Sequence, residues 1–435
     1  MTRIQSQETV DPRRAWTVVV MMFLFMLVNF ADKAVIGLAA IPIIKDLNLT
    51  NEQFGQIGSA FFLPFSISAV VVGFLVNRVQ TKLVLTVMAL VWAFAQLPML
   101  GVVTLPILMA SRFVLGAGEG PAYPVALHAV YKWFPNDQRA VPSSIVALGA
   151  AVGSGFVAPV LTWIILTYSW HAAFVVLGVV GFIWAAVWIV VGKEGPLDVD
   201  KVEAGGNGLI NVPYLTLLTS RTFVGVLAAE FASYWALAVA VVWLPAFLLR
   251  AGGYSATQVG WIVVLPSFIQ IFLSPAGGYI SQKLRAGGVS SRVSRGLLSG
   301  GCVMVAGITL MLLSQASNPL VQIPLVTVSF AIGSIIYTLG PPLVGEISPV
   351  HQRGATLGIN NALYSLAGLV APWVMGHIID AGANPVEGFR NGFLFTGAVV
   401  AAGGVLAMLL INPERDLARF KSLRGSATVN AASPN

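Results

Sequence analysis

Asp32, Lys33, Arg112, Glu119 and Glu230 all lie inside long apolar runs of the sequence, where an ionisable side chain is a candidate for chemistry. Arg112 and Glu119 are seven residues apart in RFVLGAGEGPAYP. Two helical turns put them on one face, about 10 Å apart along the axis. Gly116, Gly118, Gly120 and Pro121 crowd round the acid, thin the helix and invite a kink beside it. Arg112 presents a planar, permanently charged fork suited to a carboxylate; the structural alternative is an ion pair with Asp32 or Glu119. Desolvation favours the neutral form of Glu119, which makes it a proton carrier or else a static partner of Arg112. Asp32 and Lys33 are adjacent and point about 100° apart, with Asn29 sharing part of the face of each. One charge is expected to face a central cavity and the other a neighbouring helix. Glu230, with Tyr234 one turn on, is a second titratable site, a contact to a donor on a solute, or simply a wetted acid near an entrance. Asn360, Asn361, Tyr364 and Ser365 form a polar stripe at helical spacing, to bond a solute or join helices. Gln270 and Tyr337 are lesser candidates.

The elements that must position these groups are set by composition. The chain of 435 residues is 57% hydrophobic and 9% charged, with mean hydropathy +0.84. Soluble domains carry about 25% charged residues, so a polytopic membrane protein in a lipid bilayer is implied. At about 20 residues per span, the length allows roughly twelve helices. Apolar runs fall near 16–41, 54–76, 83–103, 105–130, 141–167, 171–191, 215–249, 257–280, 296–314, 319–344, 355–379 and 391–411. The expected plan is an N-terminal tail 1–14, a six-helix bundle 15–192, a linker 193–214, a second bundle 215–412 and a tail 413–435 expected to be disordered. With both termini cytoplasmic, roughly 19 Lys and Arg fall on the inside and 3 outside, so the net charge of +7 is a topology signal and not a nucleic-acid footprint.

The halves repeat. Gly73 to Arg78 after span two answers Gly278 to Lys283 after span eight, Pro135 to Ala140 answers Pro349 to Gly354, and Pro159 answers Pro372. Three pairs in order at nearly one offset indicate a duplicated six-helix unit, a plan that puts a binding site near midplane between the repeats.

With these features the sequence resembles the major facilitator superfamily. The loop Gly73-x-x-x-Asn77-Arg78-x-x-x-Lys82 is similar to that between the superfamily's second and third spans, with Asn77 for Asp and Gln80 for Gly. Asn29-Phe30-Ala31-Asp32-Lys33, Arg112-x-x-x-Gly116-x-x-Glu119-x-x-x-x-Pro124, Trp243-Leu244-Pro245 and, more loosely, Ser169-Trp170-His171-x-x-Phe174 resemble motifs of the anion:cation symporter group, which includes phthalate, hexuronate and galactonate permeases and sialin-type carriers. Phe30, Lys33 and His171 depart from its tyrosine, arginine and arginine. The resemblance implies an all-α fold of twelve spans in two pseudo-symmetric bundles. It implies proton-coupled import of a small organic anion across the cytoplasmic (inner) membrane by a monomer. Asp32 and Glu119 would couple protons. Arg112, Lys33 and Asn29 would bind the anion; the residues themselves, apart from any family motif, add Glu230, Tyr234, Asn360, Asn361 and Tyr364 as candidate contacts. Arg78, Arg139 and Arg353 would gate the cytoplasmic side.

Other classes are weaker. An exporter or exchanger would use the same pocket. A membrane sensor would need a long soluble signalling domain. No Walker loop, dinucleotide fingerprint or metal-binding spacing occurs, so no cofactor, metal or enzymatic activity is expected. The single cysteine, Cys302, excludes an intrachain disulfide.

Overall fold

The computed structural model describes residues 11–76, 79–134, 140–196 and 212–431. Among these described residues, eleven helical segments are long and apolar enough to cross a membrane. The fourth span accounts for the difference from twelve. It is broken into Leu105–Glu119 and Ala122–Tyr131, neither of which alone reaches 18 residues. Pro121 at the joint has no N–H to continue the ladder. The kink therefore falls one residue pair beyond Glu119.

Local signals start the helices where expected. Asp11 caps Pro12–Leu38, with proline in its first turn. Thr50 and Gln53 form a reciprocal capping box at the head of Asn51–Leu75, and Ser255 and Gln258 form the same device at the head of Ala256–Ile262, 205 residues later. The repeat is thus visible in capping as well as in loop sequence. Span five passes from Ala140–Ala151 through a π-helical turn, Val152–Phe156, into Ala158–Thr167. Span seven, Arg221–Arg250, is continuous over 30 residues.

The two groups of six helices meet along three seams, span one on seven, two on eleven and five on eight. The approach is closest at the end remote from the termini. A methyl on Gly37 would lie 1.9 Å from the Val241 carbonyl oxygen, and one on Gly55 would lie 2.4 Å from that of Pro372. At this end Asp380 of span eleven, Ala367–Ala381, accepts from Asn51 N, Asn51 Nδ2 and Glu52 N at 3.2, 2.7 and 2.7 Å, closing over the exposed N–H groups of span two. Glu52 in turn accepts from Trp373 Nε1 at 3.0 Å, and its other oxygen lies 3.1 Å from His377 Nδ1. Trp243 Nε1 donates to the Pro372 carbonyl at 2.9 Å, tying spans seven and eleven behind this clasp.

At the other end each half is tied to itself. Glu194 accepts from Lys82 N and pairs with Lys132 at 2.8 Å. Glu346 pairs with Arg295 at 3.0 Å and accepts from Ser291 Oγ. The tail expected to be disordered instead forms a helix, Pro413–Ala431. Its first turn is docked: Asp416 accepts from Thr222 N at 2.8 Å, Asn412 caps Arg415 N, and Phe420 is buried. Polar composition alone did not register these anchors.

Candidate functional site

The four charged residues of the N-terminal half converge. Asp32, Arg112 and Glu119 are 1, 2 and 0% exposed, so the spans bring them together away from lipid and bulk solvent. Adjacent Asp32 and Lys33 diverge as helical geometry requires. Asp32 turns to span three, Thr81–Gln96, where Gln96 Nε2 donates to its Oδ1 at 2.8 Å. Lys33 turns to span four. Its Nζ lies 3.2 Å from Glu119 Oε2 and donates to Asn29 Oδ1 at 2.5 Å.

The ion pair at the centre is therefore Lys33–Glu119. Arg112 lies instead with Nη1 on the backbone carbonyl of Asp32 at 3.2 Å and its guanidinium carbon 5.1 Å from the Phe61 ring centre. Lys33 is similarly flanked, 4.3 Å from the Phe30 ring centre and 5.1 Å from that of Phe65. Aromatic faces hold cations in place without neutralising them. Several buried polar atoms have no hydrogen-bond partner among the described residues: Arg112 Nε, Asn29 Nδ2, Gln96 Oε1 and Glu119 Oε1, the carboxylate oxygen that Lys33 does not meet. Unspent donors and acceptors in so buried a cluster mark a place where partners change.

Glycines make the convergence possible. A methyl on Gly116 would sit 2.0 Å from the Phe61 carbonyl oxygen, and one on Gly120 would sit 2.0 Å from that of Phe65. Span four thus lies backbone-to-backbone on span two, which carries Phe61 and Phe65 to the two cations. These glycines serve close approach more than kinking.

The C-terminal half supplies the facing group. Glu230 is 1% exposed, which overturns its reading as a wetted acid at an entrance. Asn360 Nδ2 donates to its Oε2, and Tyr337 donates to its backbone carbonyl at 3.3 Å. A methyl on Gly340 would meet Glu230 Oε1 at 2.3 Å, so that glycine gives the carboxylate its room. Tyr364 donates to Asn361 Oδ1. The Tyr364 ring centre lies 5.4 Å from that of Tyr234 and 5.7 Å from that of Tyr337, a trio of half-buried rings beside Glu230. Phe62 of span two meets Tyr234 at 5.8 Å, and Ser66 meets Ser365 at 2.7 Å, so the two clusters adjoin across the seam. The polar stripe is thus divided: Asn360 to Glu230, Asn361 to Tyr364 and Ser365 to the opposite half.

Arg78 and Arg139 lie outside the described residues, as does the side chain of Arg353. Two hollows elsewhere, of about 230 and 560 Å³, are lined by Arg14, Trp133 and Lys193 and by Val224, Phe231 and Leu406; neither touches the buried charges. Sequence reasoning missed Gln96 and the cation-facing Phe61 and Phe65. Gln96 had a signal, as a lone amide in the apolar third span. The phenylalanines had none.

The Major Facilitator Superfamily model matches residues 21–339 and 226–433, and the chain belongs to that superfamily. The probable galactarate/D-glucarate transporter of Bacillus subtilis is 25% identical over 92% of each chain. The D-galactonate transporter of Escherichia coli O6:H1 is 27% identical over 92% of this chain and 96% of its own. The hexuronate transporter of Bacillus subtilis is 25% identical over 91% and 94%. Among solved structures, an inward-facing, occupied bacterial homologue of the human lysosomal transporter Spinster superposes with TM-score 0.76 at 16% identity, covering 95% of this chain and 99% of that one. The D-xylose–proton symporter gives TM-score 0.74 at 15% identity, covering 92% and 99%. These likenesses show the shared twelve-span, two-bundle fold.

Proposed function

We propose that this protein is a proton-coupled symporter that imports a small organic carboxylate by rocking its halves, 15–192 and 215–412, about a central site. The observation that carries the reading is the buried cluster of two acids and two bases, in which Arg112 keeps an unpartnered N–H and Glu119 pairs through one oxygen with Lys33 while its other oxygen is unbonded. The relatives whose names specify galactarate, galactonate and hexuronate support an organic acid as the cargo.

The coupling follows from charge balance. Asp32 and Glu119 offset Lys33 and Arg112, so the ionised cluster is neutral. An anion bound at Arg112 adds one negative charge to a site walled off from water, where an unbalanced charge costs several kcal/mol (about 3–5 for a broken buried pair). A proton on Glu119 restores neutrality and releases Lys33 from its pair. The freed ammonium then joins Arg112 and Asn29 on the carboxylate. Proton and anion thus favour occlusion together more than either does alone. Asp32, held by Gln96, is the second proton site.

The basic-residue asymmetry puts the termini in the cytoplasm. The clasp of Asp380 over span two is then external, and this conformation is closed outside. The same asymmetry assigns the loops that carry Arg78, Arg139 and Arg353 to the cytoplasmic side, where these residues would gate release. One chain supplies both halves, so a monomer suffices, and no cofactor enters the cycle.

The test is uptake by the purified chain in proteoliposomes. With the lumen made alkaline, a labelled carboxylate is expected to accumulate above its external level. Glu119→Gln should still exchange carboxylate across the membrane but no longer concentrate it. If Glu119→Gln concentrates substrate as the parent does, the proton role assigned to this residue is wrong.

A further inference from the structure

We infer that the Glu230–Asn360 cluster of the C-terminal half is a site for an ammonium group, so that the preferred substrate carries a protonated amine at the end remote from its carboxylate. This rests on the carboxylate reading above and extends it to the substrate's other end.

Glu230 is the starting point. In the N-terminal half the acids are matched by bases of similar depth. Glu230 is as buried as they are, yet no described basic side chain pairs with it. An unbalanced carboxylate in such a place is brought to neutrality by a proton or by a cation that arrives with a ligand. Its surroundings favour the cation. Asn360, 2% exposed, spends its amide N–H on Glu230, and its Oδ1 has no donor. A buried carboxylate and a buried amide oxygen side by side form an acceptor-rich corner. A proton or a hydroxyl brings a single donor to it, whereas an ammonium brings three and no acceptor.

The tyrosines point the same way. The hydroxyl of Tyr337 is spent on the Glu230 carbonyl and that of Tyr364 on Asn361. With those protons committed, Tyr337 and Tyr364 still offer a ligand the lone pairs of their hydroxyls and the faces of their rings, and both attract cations. The two clusters that adjoin across the seam are therefore of opposite character, with Arg112 and Lys33 on one side and Glu230, Asn360 and the tyrosine trio on the other.

The test uses the full-length purified protein and a matched set of straight-chain carboxylates of about three to six carbons, ending in methyl, hydroxyl or ammonium. Binding is read by calorimetry. At the best length the ammonium member should bind at least about tenfold tighter than the hydroxyl member, as expected for a charge-assisted contact with aromatic support. Glu230→Gln, which keeps shape and the bond to Asn360, should abolish that advantage, so that the ammonium and hydroxyl members bind within about threefold of one another. Tyr364→Leu should lower it in part. Methyl or hydroxyl members binding as tightly as the ammonium member would overturn the inference while carboxylate transport stood. Retention of the ammonium preference in Glu230→Gln would overturn it equally. Failure of every carboxylate to bind would sink both.

Discussion

At the scale of single residues, the two bases of the cluster have different duties. Lys33 already holds a carboxylate, Glu119, at 3.2 Å, whereas Arg112 is left with an unused edge of its fork. A bidentate contact is lost when guanidinium becomes ammonium, even though the charge stays. Arg112→Lys is thus expected to raise the KM for carboxylate uptake about tenfold or more, with folding stability little changed; uptake kinetics and a thermal melt check both. Lys33→Arg should be tolerated far better, within about threefold, because an arginine there still reaches Glu119 and gains a fork. Equal losses in the two variants would contradict the division of labour. Asp32 depends on Gln96, a residue with no formal charge. Gln96→Leu removes the donor from a buried acid and should destabilise the fold by about 1–3 kcal/mol in reversible detergent unfolding.

At the scale of elements, the site is a product of how near span four lies to span two. The spacing of Gly116 and Gly120 is one helical turn, and both face carbonyls of the neighbouring helix. Gly116→Ala introduces a methyl with no space to occupy, so the two helices must part by about 1 Å or more. Overpacking of this kind costs about 1–3 kcal/mol. It also moves Arg112 and Glu119 away from Lys33 and Phe61. Uptake should fall by more than about tenfold, while Gly301→Ala, which meets nothing within 4 Å, serves as the control. The sequence marked these glycines as a disturbance beside the acid. Their role as a contact surface depended on the carbonyls of span two, which no local pattern could reveal.

At the scale of the whole molecule, the clasp at the end remote from the termini is what holds this conformation. Asp380 receives hydrogen bonds at the head of a helix in the other half, an interaction of the kind worth about 1 kcal/mol. Asp380→Ala should therefore shift the balance toward the opposite opening by about fivefold. The check is labelling of a thiol placed at Pro372 in a Cys302→Ser background: faster modification in the Asp380→Ala chain is expected. Unchanged labelling would mean that the seam is held by backbone contact alone. The same clasp lies between residues more than 320 positions apart, beyond the reach of any helical periodicity.

Long apolar runs, basic asymmetry and the paired loop and cap signals specified twelve spans in two related halves, because hydropathy and helical period are local properties of a chain in lipid. The same local rules placed Asp32, Lys33, Arg112, Glu119 and Glu230 at depth and required Asp32 and Lys33 to diverge. Partnership was another matter. Whether Glu119 meets Arg112 or Lys33, whether Glu230 is wet or dry, and whether the tail docks were decided by the rotation and approach of helices distant in sequence. A helix sets the direction of a side chain about its own axis; only its neighbours set what that side chain touches.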